Sequence, residues 1–150
     1  MKPDIELLSI DVSNYCSKQC YFCYNHSTKE GNVLWRPDEI ISFALDCVSH
    51  GVKAVSLGGG EPFEYDGIWD VIDGIFPHAY LSVTTNGLPL KIDDEHIWKK
   101  LKGHKPDKIH ISLHHPDCDE EVNRVLKQLE KVSQCDITAG CNYNGYPVFF

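Results

Sequence analysis

Residues 53 to 62, KAVSLGGGEP, pass from an apolar run straight into three glycines, a glutamate and a proline. A short aliphatic run that stops at glycine reads as a buried strand followed by a tight turn. Helical spacing then begins at Ile68 and lasts to Phe76. The stretch is therefore one strand-turn-helix unit, and the question is how often the chain repeats it.

Upstream, Leu8, Ile10 and Val12 alternate with polar residues within a strand from Ile5 to Val12. A cysteine-bearing loop follows, and Pro37, Asp38 and Glu39 open a helix whose face carries Ile40, Ile41, Ala44, Leu45 and Val48 before Gly51. Downstream, the strand Tyr80 to Thr85 ends in Asn86-Gly87, and a helix capped by Asp93 or Asp94 leads to a strand from Ile109 to Leu113. Val122, Val125, Leu126, Leu129 and Val132 give a fourth helical face, and Ile137 to Cys141 reads as a fifth strand.

Strands alternating with helices over short connections imply parallel pairing through right-handed crossovers. A closed (β/α)8 barrel needs about 250 residues, so 150 residues leave an open doubly wound sheet or a partial, curved barrel. In both, the loops at the C-terminal ends of the strands form the ligand side. The cysteine loop, Gly58-Gly59-Gly60-Glu61-Pro62, Thr85-Asn86-Gly87 and Ser112 to His115 all fall at such ends. Asn144-Gly145 is a hairpin signal, and Tyr146 to Phe150 is readable as a sixth short strand. The apolar Val148-Phe149-Phe150 is expected to be covered by the core, by a partner chain or by further sequence.

A length of 150 residues fits one domain, residues 1–150, with one core. No stretch reaches the roughly 18 to 20 apolar residues of a membrane span. The N-terminus MKPDIELLSIDV lacks a signal peptide's apolar run, so a cytoplasmic, reducing location is expected. There, seven cysteines read as metal or redox groups rather than a disulfide framework. A net charge of -8 gives no general attraction to nucleic acid, and Lys99, Lys100, Lys102, Lys105 and Lys108 read as a solvated helix end.

Cys16, Cys20 and Cys23 lie within eight residues. Clustered thiolates suit zinc, copper(I) or iron-sulfur clusters. A zinc site would recruit His26 as a fourth ligand, giving a structural zinc or iron-sulfur binding module without catalysis. A 4Fe-4S cube held by three cysteines would keep one iron open. Cys47, Cys118, Cys135 and Cys141 lack tight spacing and read as small core residues, the alternative being an auxiliary cluster or thiol from Cys118 and Cys141. His114 and His115 sit at a strand end, where imidazoles titrating near neutral pH could bind substrate or move a proton.

The spacing Cys16, Cys20, Cys23, with Phe22 before the third cysteine, resembles the CxxxCxxC motif of the radical S-adenosylmethionine (radical SAM) superfamily. Gly58-Gly59-Gly60-Glu61-Pro62 resembles the family's GGEP segment, and Thr84-Thr85-Asn86-Gly87 a segment common after the third strand. The resemblance spans about residues 5 to 142. It implies an α/β fold, a partial (open) parallel β/α barrel of about five to six strands, with the core domain incomplete at its C-terminal end. It also implies a 4Fe-4S cluster on Cys16, Cys20 and Cys23, with SAM on the fourth iron. Reductive cleavage of SAM would then give a 5'-deoxyadenosyl radical that takes hydrogen from a peptide, protein or small metabolite.

By the same resemblance, Gly58, Gly59 and Gly60 let the cofactor approach the backbone, and a side chain at residue 59 would fill the cofactor's space. Glu61 would pair with the SAM amine, Ser112 with a ribose hydroxyl, the backbone near Phe22 with the adenine, and Asn142 after the fifth strand with the cofactor. A flavodoxin- or ferredoxin-type electron donor is the implied partner, and no membrane partner is implied.

Overall fold

The computed structural model describes residues 5–18, 23, 27–32, 35–144 and 146–150. In chain order it contains β1 (Leu7–Asp11), α1 (Pro37–Ser49), β2 (Ala54–Gly58), a 3-10 turn at Pro62–Glu64, α2 (Ile68–Ile75), β3 (Tyr80–Thr85), α3 (Glu95–Gly103), β4 (Lys108–Ser112), α4 (Asp119–Gln134), β5 (Thr138–Tyr143) and β6 (Tyr146–Val148). The six strands form one sheet in sequence order. The first five are parallel, and β6 returns antiparallel against β5.

That order decides between the two architectures the sequence leaves open. A doubly wound sheet needs a point where strand order reverses, and none occurs here. Successive crossovers of one hand instead place all the helices on one face. The register Ile10↔Leu57, Leu57↔Val83 and Val83↔Ile109 lines up the residues that the helices bury. Ile40, Ala44, Ile68, Val71, Ile72 and Ile75 pack on the β1–β3 half, and Trp98, Leu101, Val125 and Val132 on the β4–β5 half. Phe63 and Trp69 touch both clusters, with ring centroids 5.7 Å apart, and join them into one layer.

The opposite face carries the row Ser9, Ser56, Ser82, Lys108 and Thr138 in mutual register. Parallel sheets sandwiched between helices are apolar on both faces. A polar second face belongs instead to the inside of an open, curved barrel.

The sequence places the helix starts well. Pro37 occupies the first turn of α1, and the Arg36 amide donates to Glu39 Oε2 at 2.9 Å. Of the two candidate caps for α3, Asp94 serves, accepting from the His96 amide at 3.1 Å. The fifth strand differs from the sequence reading: it runs to Tyr143, not Cys141, because the hairpin to β6 pairs Asn142 with Pro147 and Tyr143 with Tyr146. Asn142 is therefore inside the strand, beside Ser112 of β4. The apolar end divides: Val148 packs against the core, whereas Phe149 and Phe150 are exposed. No helix among the described residues is long and apolar enough to cross a membrane.

Gln128, a polar residue on the buried face of α4, fastens the β3 loop to the helix. Its Nε2 donates to the Gly87 carbonyl at 2.7 Å and to the Leu90 carbonyl at 2.9 Å, and its Oε1 accepts from Arg124 Nη1 at 3.1 Å. Gly87 has φ +80, and a Cβ there would stand 2.7 Å from Gln128 Oε1, so the turn needs glycine on both counts. Gln128→Leu takes the side-chain donor from the buried Leu90 carbonyl and leaves the Gly87 carbonyl with the Leu90 amide, 3.0 Å away, as its donor. Urea unfolding should show a loss of about 1 to 3 kcal/mol; a loss below about 0.5 kcal/mol would contradict the tether.

Candidate active site at the carboxyl ends of the strands

The loops that leave β1 through β5 meet around a cavity of about 530 Å³. Cys16 and Cys23 line it, together with Gly58 to Gly60, Thr84 to Asn86, Ser112 to His114 and Asn142. Sequence reasoning therefore brought five separated segments to one place. Cys20, Phe22 and the alternative zinc ligand His26 lie outside the described residues. Among the described residues no three metal-binding side chains converge; Cys16 and Cys23 are the two soft donors that share this cavity.

The base of the cysteine loop is closed by its own backbone. The Cys16 amide donates to the Thr28 carbonyl at 3.0 Å, and the Thr28 amide to the Asn14 carbonyl at 3.0 Å. Among the described residues, Ser17 and Lys18 reach from the loop to the rest of the molecule. Ser17 Oγ donates to Glu64 Oε1 at 2.7 Å, and Lys18 Nζ lies 2.5 Å from His114 Nδ1. Lys18 occupies a free position of the cysteine spacing, which is why no sequence signal marked it.

The glycine run has a different cause from the one expected. A Cβ at Gly59 would lie 2.3 Å from Asp11 Cβ, and one at Gly60 would lie 2.3 Å from the Tyr15 carbonyl oxygen. Both residues have positive φ, +74 and +60. The space denied to a side chain at residue 59 is thus filled by the exit of β1, not by the cavity. The expectation that a side chain at residue 59 would fill the cofactor's space is corrected: Gly59 and Gly60 let the β2 exit lie against the β1 exit.

Glu61 is also placed differently from a direct charge partner. It is 1% exposed and does not line the cavity. Its carboxylate is the acceptor for three donors: Thr85 Oγ1 at 2.6 Å, the Asn86 amide at 2.8 Å and the Phe63 amide at 3.1 Å. Its own amide donates to the Tyr15 carbonyl at 2.9 Å. Burial nevertheless pushes the Glu61 carboxyl up to about 7, outweighing the hydrogen bonds that favour its ionised form.

Asn86 does more than form a turn. Its Oδ1 accepts from the Leu88 amide at 2.8 Å, and its Nδ2 donates to Cys16 Sγ at 3.6 Å. On the far side, Glu121 accepts from the His114 and His115 amides at 2.7 and 3.1 Å and sits 3.9 Å from Arg124. Burial would raise its carboxyl, but the His114 amide and the Lys18 ammonium hold it below its ordinary value. Burial and the Lys18 ammonium push the His114 imidazole down to about 4. His114 is therefore neutral at physiological pH, which corrects its reading as a group that titrates near neutrality.

Of the remaining cysteines, Cys135 and Cys141 are buried in the β4–β5 core cluster and Cys47 packs against the other. Cys118 is exposed at the N-cap of α4, contrary to a core role. The buried Cys141 and the exposed Cys118 do not form a joint site with a third ligand among the described residues.

The sequence profile of the radical SAM superfamily matches residues 10–143. The chain belongs to the radical SAM superfamily, whose members use a 4Fe-4S cluster and SAM. It is 27% identical over 146 residues to the Methanocaldococcus jannaschii protein described as "Probable GTP 3',8-cyclase", covering 90% of this chain and 48% of that one. A Saccharolobus solfataricus protein of the same description is 34% identical over 112 residues, 73% of this chain and 35% of that one. The chain thus spans between about a third and a half of these relatives.

Among solved structures, Streptococcus suis SuiB bound to S-adenosylmethionine superposes with a TM-score of 0.74 at 20% identity, over 93% of this chain and 34% of that one. BtrN in complex with AdoMet and 2-DOIA gives 0.61 at 16% identity, over 95% and 57%. Both share the fold.

The buried Glu61 yields a pH test. A carboxyl raised in the folded state holds its proton when the unfolded chain has lost it, so stability declines as pH rises from about 4.5 to about 7. Relative to Glu61→Gln, the cofactor-free protein should lose on the order of 3 kcal/mol of unfolding free energy across that window. A pH-independent difference between the two would contradict the raised value.

Proposed function

We propose that residues 1–150 form a single radical SAM core domain that catalyses SAM-dependent hydrogen abstraction. The observation that carries the reading is the convergence of Cys16 and Cys23 with the glycine turn, Ser112 and Asn142 on one cavity at the ends of five parallel strands. Cys16, Cys20 and Cys23 would hold three irons of a 4Fe-4S cluster, which leaves the fourth to the SAM amine and carboxylate. When bound and reduced, that pair supplies one-electron cleavage of the sulfonium bond and removal of a substrate hydrogen by the 5' carbon so released.

The chain's own residues supply position and exclusion. Gly58 to Gly60 present bare backbone on the cavity wall. Ser112 and Asn142, Cα partners on β4 and β5, offer a hydroxyl and an amide on the polar face for the ribose and neighbouring groups. The backbone near Phe22 is assigned to the adenine. Glu61 supports the wall from behind, through Asn86 and the glycine turn. Lys18 and the neutral His114 link the cysteine loop to the β4 loop.

A flavodoxin- or ferredoxin-type protein is the proposed electron donor, in the cytoplasm. The relatives are named for GTP, and SuiB has also been crystallised with its precursor peptide SuiA, at a TM-score of 0.76 and 21% identity over 93% of this chain and 33% of that one. A nucleotide and a peptide are therefore the substrate classes to try first.

Anaerobically reconstituted protein, given reductant and SAM, should release 5'-deoxyadenosine, and Cys16→Ala should reduce this by at least about a hundredfold, roughly 2.7 kcal/mol. Isolation with one zinc per chain, no labile sulfide and no SAM cleavage would support the structural zinc module instead.

A further inference from the structure

Asn86 is held on every polar atom. Its amide donates to Glu61 Oε2 at 2.8 Å, its Oδ1 accepts from the Leu88 amide at 2.8 Å, and its carbonyl accepts from Arg124 Nη1 at 3.5 Å. The residue is 8% exposed. The Leu88 contact settles which end of the side-chain amide is which, because a backbone N–H can only face the oxygen. The nitrogen must then point the other way, toward Cys16 Sγ at 3.6 Å, and Cys16 is itself buried.

We propose that Asn86 is a positioning residue that sets the reduction potential of the cluster through its hydrogen bond to Cys16. The inference rests on the reading of Cys16 as a cluster ligand. A donor fixed against a ligating sulfur withdraws negative charge from it, and hydrogen bonds to the sulfurs are one of the determinants of cluster potential. Reduction adds an electron to the cluster, so a donor stabilises the reduced form more than the oxidised form. Low dielectric around both buried partners strengthens the effect. The reach of the effect is sequence-distant: residue 86 acts on residue 16 because Glu61 fixes the β3 exit against the β2 exit, and the Glu61 amide holds the β1 exit.

Asn86→Asp is the informative substitution. It keeps the shape and the acceptor for the Leu88 amide, but replaces the N–H donor with a second acceptor oxygen beside the sulfur. In an EPR-monitored redox titration of reconstituted protein, it should lower the ratio of reduced to oxidised cluster at fixed potential by at least about tenfold, a shift of about 59 mV for one electron to more negative potential. Asn86→Leu should shift in the same direction by less. An Asp variant with full iron and sulfide and an unchanged midpoint overturns the proposal while leaving the cluster assignment standing.

Absence of any cluster in the unaltered protein would instead remove the functional reading beneath it. Should the Asp variant not assemble its cluster, the unaltered protein decides. Selective 15N-asparagine labelling must give a nitrogen coupling in pulsed EPR of the reduced cluster that persists in Asn142→Ser. Its absence overturns the proposal.

Discussion

One buried carboxylate organises the ligand side of the sheet. Glu61 leaves the glycine turn after β2, and its two oxygens collect a hydroxyl and an amide from the end of β3 and an amide from the 3-10 turn. Its backbone N–H reaches the Tyr15 carbonyl in the loop after β1. Three loops that differ widely in sequence position are thereby fixed to one residue. Burial opposes its ionisation, and the three donors partly offset that cost. An uncompensated carboxylate at this depth would be untenable, so the loops have little freedom to separate while the charge remains.

The consequence for chemistry is rigidity where a small cofactor needs it. Cys16 is buried beside Asn86, the glycine exits lie in contact with Asp11 and Tyr15, and the polar row of β4 and β5 meets them across the cavity. The helices cover only the other face of the sheet, which leaves the polar face available on the inside of the curve. On the proposed reading, the protein tunes and shields a reaction whose bond-breaking power lies in the cofactor.

Much of this was legible in the sequence because the signals are local. Period-two alternation in β1, glycines at the end of β2 and Asn-Gly after β3 gave strands, turns and the ligand side, and the cysteine spacing gave the family. The unread parts depend on partners far along the chain. Glu61 meets residues 24 and 25 positions away, Asn86 meets a sulfur 70 positions away, and Gln128 a carbonyl 41 positions away. Nothing in the string says that Gly59 faces Asp11, or that His114 is held neutral beside Lys18. The end of β5 was misjudged for the same reason, since the returning strand β6 extends its pairing.

The central claim is that the open corner of a cluster in this cavity receives SAM. Electron-nuclear double resonance of the reduced, reconstituted protein, with SAM labelled with 17O in its carboxylate and 15N in its amine, measures that contact directly. The account predicts hyperfine coupling from both labels. A reduced cluster whose spectrum is identical with labelled and unlabelled SAM would contradict it.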